Sequence, residues 1–197
     1  LFTVGNPKTD WCYKIEPDPG LNGRTIGYAR GKVLGGCSSI NAMIYMRGQR
    51  SDYDHWSALG NRGWDWSSVL PYFKQMEDYV HGANEFHGAG GELPVQERRV
   101  DWEILDAWRE AAEESGIPKI KEFNTGDNFG NAYFQVNQRN GVRWNAVRAF
   151  LWPIKNRKNL TILKNVHVER LSLEGSEANK KVIGLDYTSE TEGDFYV

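Results

Sequence analysis

The sequence predicts a mixed α/β chain rather than a self-contained single layer. Two observations carry this. Helical periodicity recurs through the middle of the chain, over 65–79, 101–115 and 141–156, and the period then changes to two from Asn159 onward. The order of loop, helices and strands suits a chain that leaves one domain, crosses a second and returns to the first.

Residues 10–29 contain "EPDPGLNGR", which predicts extended chain and turns. Asn41–Trp56 reads as a short helix followed by an irregular segment. Asp65–Tyr79, "DWSSVLPYFKQMEDY", is a helix with Asp65 or Ser67 as cap, Val69, Leu70, Phe73 and Met76 at helical spacing, and Pro71 in the first turn. "HGANEFHGAGGELPVQ" is a loop leading into a short strand. Asp101–Ser115 is a helix capped by Asp101, with Trp102, Leu105, Trp108 and Ala112 on one face and Gly116 as its stop. Asn131–Arg139 has strand character. Gly141–Asn156 reads as a helix through Ala146, Val147, Phe150 and Leu151, disturbed by Pro153. "LTILKNVHVERLSLE", "KKVIGLDYTSE" and "DFYV" then form a three-stranded meander.

Composition narrows the function classes. Apolar residues make up 40% and charged residues 25%, an ordinary globular balance. The net charge of -2 offers no broad attraction for nucleic acid or anionic lipid. Eight Trp, nine Tyr and eight Phe are first of all core residues, and some of them can line a pocket. No apolar run approaches the ~18–20 residues that cross a bilayer. Cys12 and Cys37 have no metal-ligand spacing, and so few cysteines fit a reducing compartment at least as well as an oxidising one, so a cytoplasmic location is expected. The sequon at Asn159 is no more than chance supplies. The opening "LFTVGNPKTDW" and the closing "DFYV" both read as interrupted, which predicts a segment of a longer protein.

The most informative stretch is Arg30–Gly48, "RGKVLGGCSSINAMIYMRG". Gly35 and Gly36 let the backbone approach a ligand closely or adopt positive φ. Successive amides in such a turn can face an anion, with Arg30 and Lys32 beside them, and Ser38, Ser39 and Asn41 supply short donors and acceptors. By physics alone this is either a loop for a phosphate-bearing or flat polar cofactor or a capping turn packed against a sheet. It is not a P-loop, and the chain has no G-x-G-x-x-G fingerprint after a strand.

The residue order is more specific. "GKVLGGCSSINAMIYMRGQRSDYD" resembles the first signature of the glucose–methanol–choline (GMC) oxidoreductases, through Gly31, Gly35, Gly36, Ser38, Asn41, Tyr45, Gly48 and Asp54. Cys37 departs from the commonest residue there, as it does in choline oxidase-like members. "DYDHWSALGNRGWDWSSVLPYF" is similar to choline dehydrogenase-like and hydroxymethylfurfural oxidase-like members, and "FHGAGGELPV", "GVRWNAVRAFL" and "NLTILKNVHVERL" resemble later family segments. The resemblance covers nearly the whole chain.

It implies part of a GMC-type FAD-binding domain, with the flavin-attachment loop in 1–60 and return strands in 158–197, together with the start of an antiparallel-sheet substrate-binding domain at 61–157. It implies FAD contacts from Val33, Gly35, Gly36, Cys37, Asn41, Ala42, Met43 and Ile44, and a main-chain contact to adenine from Val168. Ile40 stands where choline oxidase-like members carry a histidine bonded to FAD, so a non-covalent flavin is expected. Cys37 is expected to be a small packed thiol beside the flavin. The implied activity is oxidation of a primary alcohol, with a small-molecule alcohol as substrate and oxygen or another electron acceptor as partner. Hydride passes to flavin N5 and a histidine serves as base. That histidine is expected C-terminal to Val197 and the dinucleotide fingerprint before Leu1. His55, His81, His87 and His167 are accordingly read as structural or surface residues, with His87 ordering a turn. The same fold also serves hydroxynitrile lyases and fatty acid photodecarboxylases, and a non-catalytic flavin-fold protein is the remaining alternative.

Overall fold

The computed structural model describes residues 3–177, 179–189 and 193–196. The chain divides into two compact units, Leu1–Ile154 and Lys155–Val197.

The first unit is built from short paired segments. β1 (Tyr13–Lys14) and β2 (Gly27–Tyr28) form an antiparallel ribbon. β3 (Ile44–Tyr45) comes after the glycine-rich stretch. Helix α1 (Arg50–Ala58) starts behind Gln49, whose side chain and that of Asp52 cap each other's backbone amides. Residues 41–49 therefore hold no helix, only β3 between irregular segments, and the helix comes after the irregular stretch, the reverse of the expected order. The cause is tertiary, since Ile44 pairs with Val136 and Tyr45 with Gln135.

Helix α2 (Trp66–Met76) is capped by Asp65, which accepts the Ser68 amide at 3.1 Å. Pro71 is the sixth helical residue, inside the helix rather than in its first turn. The helix stops at Met76 because 77–79 becomes β4 (Glu77–Tyr79), which pairs in parallel with β5 (Leu93–Val95). Helix α3 (Glu103–Glu114) takes Trp102 as its N-cap, with no side-chain cap, so Asp101 lies one residue too early. Gly116 ends it at φ +88°, a left-handed conformation that favours glycine.

β6 (Gln135–Val136) pairs with β3, and β7 (Gln138–Arg139) pairs with β8 (Val142–Arg143). Between β7 and β8, Asn140 and Gly141 both have positive φ, 53° and 78°. This is a two-residue hairpin turn, and Asn-Gly is its strongest sequence signal. It displaces the helix expected from Gly141. In place of that helix stand one π-helical turn, Val147–Leu151, and a 3₁₀ turn, Trp152–Ile154. Tyr45, Tyr79 and Val95 form the buried apolar cluster, with Leu93 packed on it.

The second unit is an antiparallel meander. β10 (Lys181–Ser189) lies between β9 (Val166–Glu174) and β11 (Gly193–Tyr196). The three expected strands are present, although the first begins at Val166. Residues 190–192 and 197, at the ends of the second and third expected strands, fall outside the described residues.

Candidate functional site

The candidate site is the loop from Gly31 to Ile44. Its entry is fixed by Asp10, which is 2% exposed and whose carboxylate accepts the amides of Gly5, Cys12 and Arg30 at 2.7, 3.0 and 2.9 Å. These backbone hydrogen bonds hold the Asp10 carboxyl below the usual carboxylate range. The Lys32 amide donates to Thr9 O at 2.9 Å and completes the anchor.

Close backbone approach then dictates glycine. A Cβ at Gly31 would stand 2.2 Å from Gly36 O. Gly35 has φ +88° and Gly36 φ +52°, and nothing lies within 4 Å of the place where a Gly36 Cβ would project. Gly36–Ser39 forms a single 3₁₀ turn. Ser38 Oγ donates to Gly35 O at 2.6 Å and Ser39 Oγ to Leu34 O at 2.8 Å, so both hydroxyls stabilise the turn from within. Ile40 closes the turn and is buried. Asn41 Oδ1 accepts the Met43 amide at 3.0 Å, and Met43 takes φ +65° before the chain enters β3.

The loop thus offers an open face bare of side chains at Gly36, bordered by exposed Val33, Cys37, Asn41, Ala42 and Ile44. A flat ring system fits such a surface, because it can approach the backbone without an intervening side chain at Gly36. Cys37 is exposed on this face. Eight of the nine expected contact residues, Val33 to Ile44, therefore lie together on this loop. The ninth, Val168, lies on β9 of the second unit, directly opposite Tyr187.

The sequence reading missed the residues that hold the loop. The β7–β8 hairpin carries Arg143, whose Nη1 donates to Ser38 O at 3.1 Å and to Asn41 Oδ1 at 2.8 Å, while Nη2 donates to Asn41 O at 2.7 Å. Asn145 Nδ2 donates to Ser39 Oγ at 2.9 Å, and the Ala146 amide to Ser38 Oγ at 3.0 Å. The Asn140-Gly141 turn was the available signal for the hairpin. Nothing local pairs Arg143 with a loop 102 positions away.

A buried polar network was also missed. Arg47 donates to Glu77 at 2.7 Å, to Tyr45 Oη at 3.0 Å and to Phe86 O at 2.7 Å. Glu77 also faces His87 Nδ1 at 2.9 Å and accepts the Gly88 amide at 2.9 Å. His87 Nε2 faces Glu122 at 2.8 Å, and Gln135 donates to the same Glu122 oxygen at 2.8 Å. Burial alone would lower the His87 pKa, but the hydrogen bonds and charges of Glu122 and Glu77 outweigh it and raise it. Both ring nitrogens meet carboxylates, so both donate and the ring is an imidazolium. Burial acts to raise Glu122, yet its bonds from His87 and Gln135 bring it down to about 2. Two cations and two carboxylates balance, so the network is a structural pin. The turn itself is ordered by Asn84, whose Oδ1 accepts the Phe86 and His87 amides at 2.8 and 2.9 Å, while the His87 ring is committed to Glu77 and Glu122.

The other histidines give no catalytic arrangement: His55 is exposed on α1, His81 faces Glu97 at 3.2 Å on the surface, and His167 lies on β9. Among the described residues, no helix is long and apolar enough to cross a membrane.

The family described as GMC oxidoreductase matches residues 8–196. The chain belongs to the GMC oxidoreductase family. It is 40% identical over 185 residues to the oxygen-dependent choline dehydrogenase of Brucella anthropi, covering 94% of this chain and 33% of that protein. Among solved structures, pyridoxine 4-oxidase from Mesorbium loti is similar with a TM-score of 0.86 and 36% identity, over 96% of this chain and 37% of that one. An FAD-dependent oxidoreductase from Chaetomium thermophilum is similar with a TM-score of 0.82 and 28% identity, over 98% of this chain and 37% of the other. This GMC chain thus spans about a third of the length of these relatives. Its mixed helix and strand architecture resembles the corresponding part of the GMC flavoproteins.

Proposed function

We propose that this chain is the flavin-holding part of a longer FAD-dependent oxidoreductase that acts on the CH–OH group of a primary alcohol. The observation that carries the reading is the Gly31–Ile44 loop, with its two left-handed glycines and its open face at Gly36, in a chain of GMC sequence. Val33, Gly35, Gly36, Cys37, Asn41, Ala42, Met43 and Ile44 hold the flavin, and Val168 contributes main chain at the adenine end. Residues 61–157 begin the substrate domain and 158–197 return to the FAD domain.

FAD, when bound, supplies a two-electron acceptor at flavin N5 for the hydride of the alcohol carbon. The loop's part is to bind and orient that ring. A histidine on another part of the polypeptide takes the hydroxyl proton, and oxygen or another acceptor receives the electrons. Ile40 has no nucleophile and its side chain is buried, so the flavin is not covalently attached there.

The test uses the full-length polypeptide that contains this chain. It should purify with flavin absorption bands that bleach anaerobically on adding a primary alcohol from a panel that includes choline. Acid precipitation should leave the flavin in the supernatant. A protein whose flavin no alcohol bleaches is not an alcohol oxidoreductase, and flavin that stays with the pellet contradicts non-covalent binding.

A further inference from the structure

We infer that Arg143 is a positioning residue that fixes two peptide planes of the flavin loop and, through them, tunes the affinity and reduction potential of the bound flavin. The inference rests on the flavin reading of this loop. One guanidinium meets three acceptors within four residues: Ser38 O at 3.1 Å, Asn41 Oδ1 at 2.8 Å and Asn41 O at 2.7 Å. The rigid fork of arginine matches this spread, whereas the point charge of lysine does not.

The peptide group itself transmits the effect. Ser38 O shares its plane with the Ser39 N–H, and Asn41 O shares its plane with the Ala42 N–H. A cation bound at each carbonyl oxygen draws electron density from the amide and strengthens the N–H at the other end as a donor. Ala42 is among the proposed flavin contacts, and Asn41 is another. All three acceptors are neutral, so they do not cancel the positive charge that Arg143 brings to the loop. Positive charge and stronger donors both favour the added negative charge of a reduced flavin.

The clamp is also well supported from behind. The tight Asn140-Gly141 turn sets the hairpin that carries Arg143. Asn145 and the Ala146 amide hold Ser39 and Ser38 at 2.9 and 3.0 Å. The Val147 side chain closes the remaining space, 3.2 Å from where a Gly35 Cβ would stand. Arg143, Asn145, Ala146 and Val147 therefore act as one backing plate for the loop.

The experiment uses the full-length holoprotein and three variants, Arg143→Ala, Arg143→Lys and the exposed control Arg62→Ala. FAD affinity of the apoprotein, flavin midpoint potential and apoprotein melting temperature are measured for each. Arg143→Ala should weaken FAD binding by about tenfold or more, the loss expected for charge-assisted hydrogen bonds, and shift the midpoint to a more negative potential. Arg143→Lys should fall between, because it keeps charge but not the fork, and Arg62→Ala should match the parent. If Arg143→Ala does not accumulate as folded protein, Arg143→Lys reads the same two quantities. Affinity within twofold of the parent and an unchanged potential would overturn the inference, even with a lower melting temperature, since that pattern marks a purely structural residue. A parent that binds FAD beside variants that equal it removes only this inference. A parent that binds no FAD removes the flavin reading as well.

Discussion

Glu77 is 0% exposed and bonds Arg47, His87 and the Gly88 amide at once, so its loss leaves a buried cation without its partner. Glu77→Ala should destabilise the full-length protein by ~3–5 kcal/mol, read from its unfolding in urea, with Glu77→Gln costing less because it keeps shape. The network also sets a pH response. His87 has a folded pKa raised above its ordinary 6.5, so its stabilising contribution is full below that value and is lost as pH rises through the folded pKa. Glu122 has a folded pKa of about 2 against an ordinary 4.5, so its contribution is present above 4.5 and disappears as pH falls towards 2. Melting temperature should therefore peak in the mildly acidic range. His87→Gln should flatten the alkaline limb, and Glu122→Gln the acid limb. The histidine was visible in the sequence as an "FHG" turn residue, but its partners were not. Glu77 and Glu122 lie 10 and 35 positions from it, and a lone acidic residue carries no local sign of burial.

Elements whose ends are set by their own residues behaved as their sequences require. Asp65 caps α2 through the Ser68 amide at 3.1 Å and the Ser68 hydroxyl at 2.8 Å. Asp65→Ala should cost ~1 kcal/mol of stability in thermal unfolding, whereas Ser67→Ala should cost less, because Ser67 donates to the cap without being it. The glycine loop is the stricter case. A Cβ at Gly31 would meet Gly36 O at 2.2 Å and Cys37 N at 2.9 Å, both backbone atoms that cannot rotate away. Gly31→Ala should therefore distort the loop and abolish flavin binding in the full-length protein, measured as flavin-to-protein absorbance. Retention of normal flavin content would contradict the proposed role of the loop. Where elements depend on distant pairing, local pattern misled. The apolar residues of 41–49 imitate a helix start, yet β3 forms because β6 lies beside it.

Across the whole molecule, large apolar side chains remain exposed. Leu59 and Phe129 are each 67% exposed, Tyr72 71%, and Trp102 and Trp108 of α3 each 61%. The α3 face expected to be apolar is apolar, but only its Ala112 is buried. A chain that leaves this much aromatic surface in water should bind a hydrophobic dye and unfold over a broad denaturant range when expressed alone. It should show no alcohol oxidation. A sharp cooperative transition with no dye binding would mean that the 197 residues are self-sufficient.

The sequence by itself determined what depends on neighbours along the chain. It held the family signature around Gly35 and Gly36, the Asp65 cap, the Gly116 stop and the period-two meander of β9, β10 and β11, because each depends on the conformational limits of a few adjacent residues. Tertiary structure alone decided the parallel pairing of β4 with β5, the charge-balanced quartet of buried Arg47, Glu77 and His87 with partly buried Glu122, and the seating of Arg143 and Asn145 behind the flavin loop. Those depend on polar groups whose best partners, once water is excluded, lie as many as 106 positions away, and no local pattern records that distance.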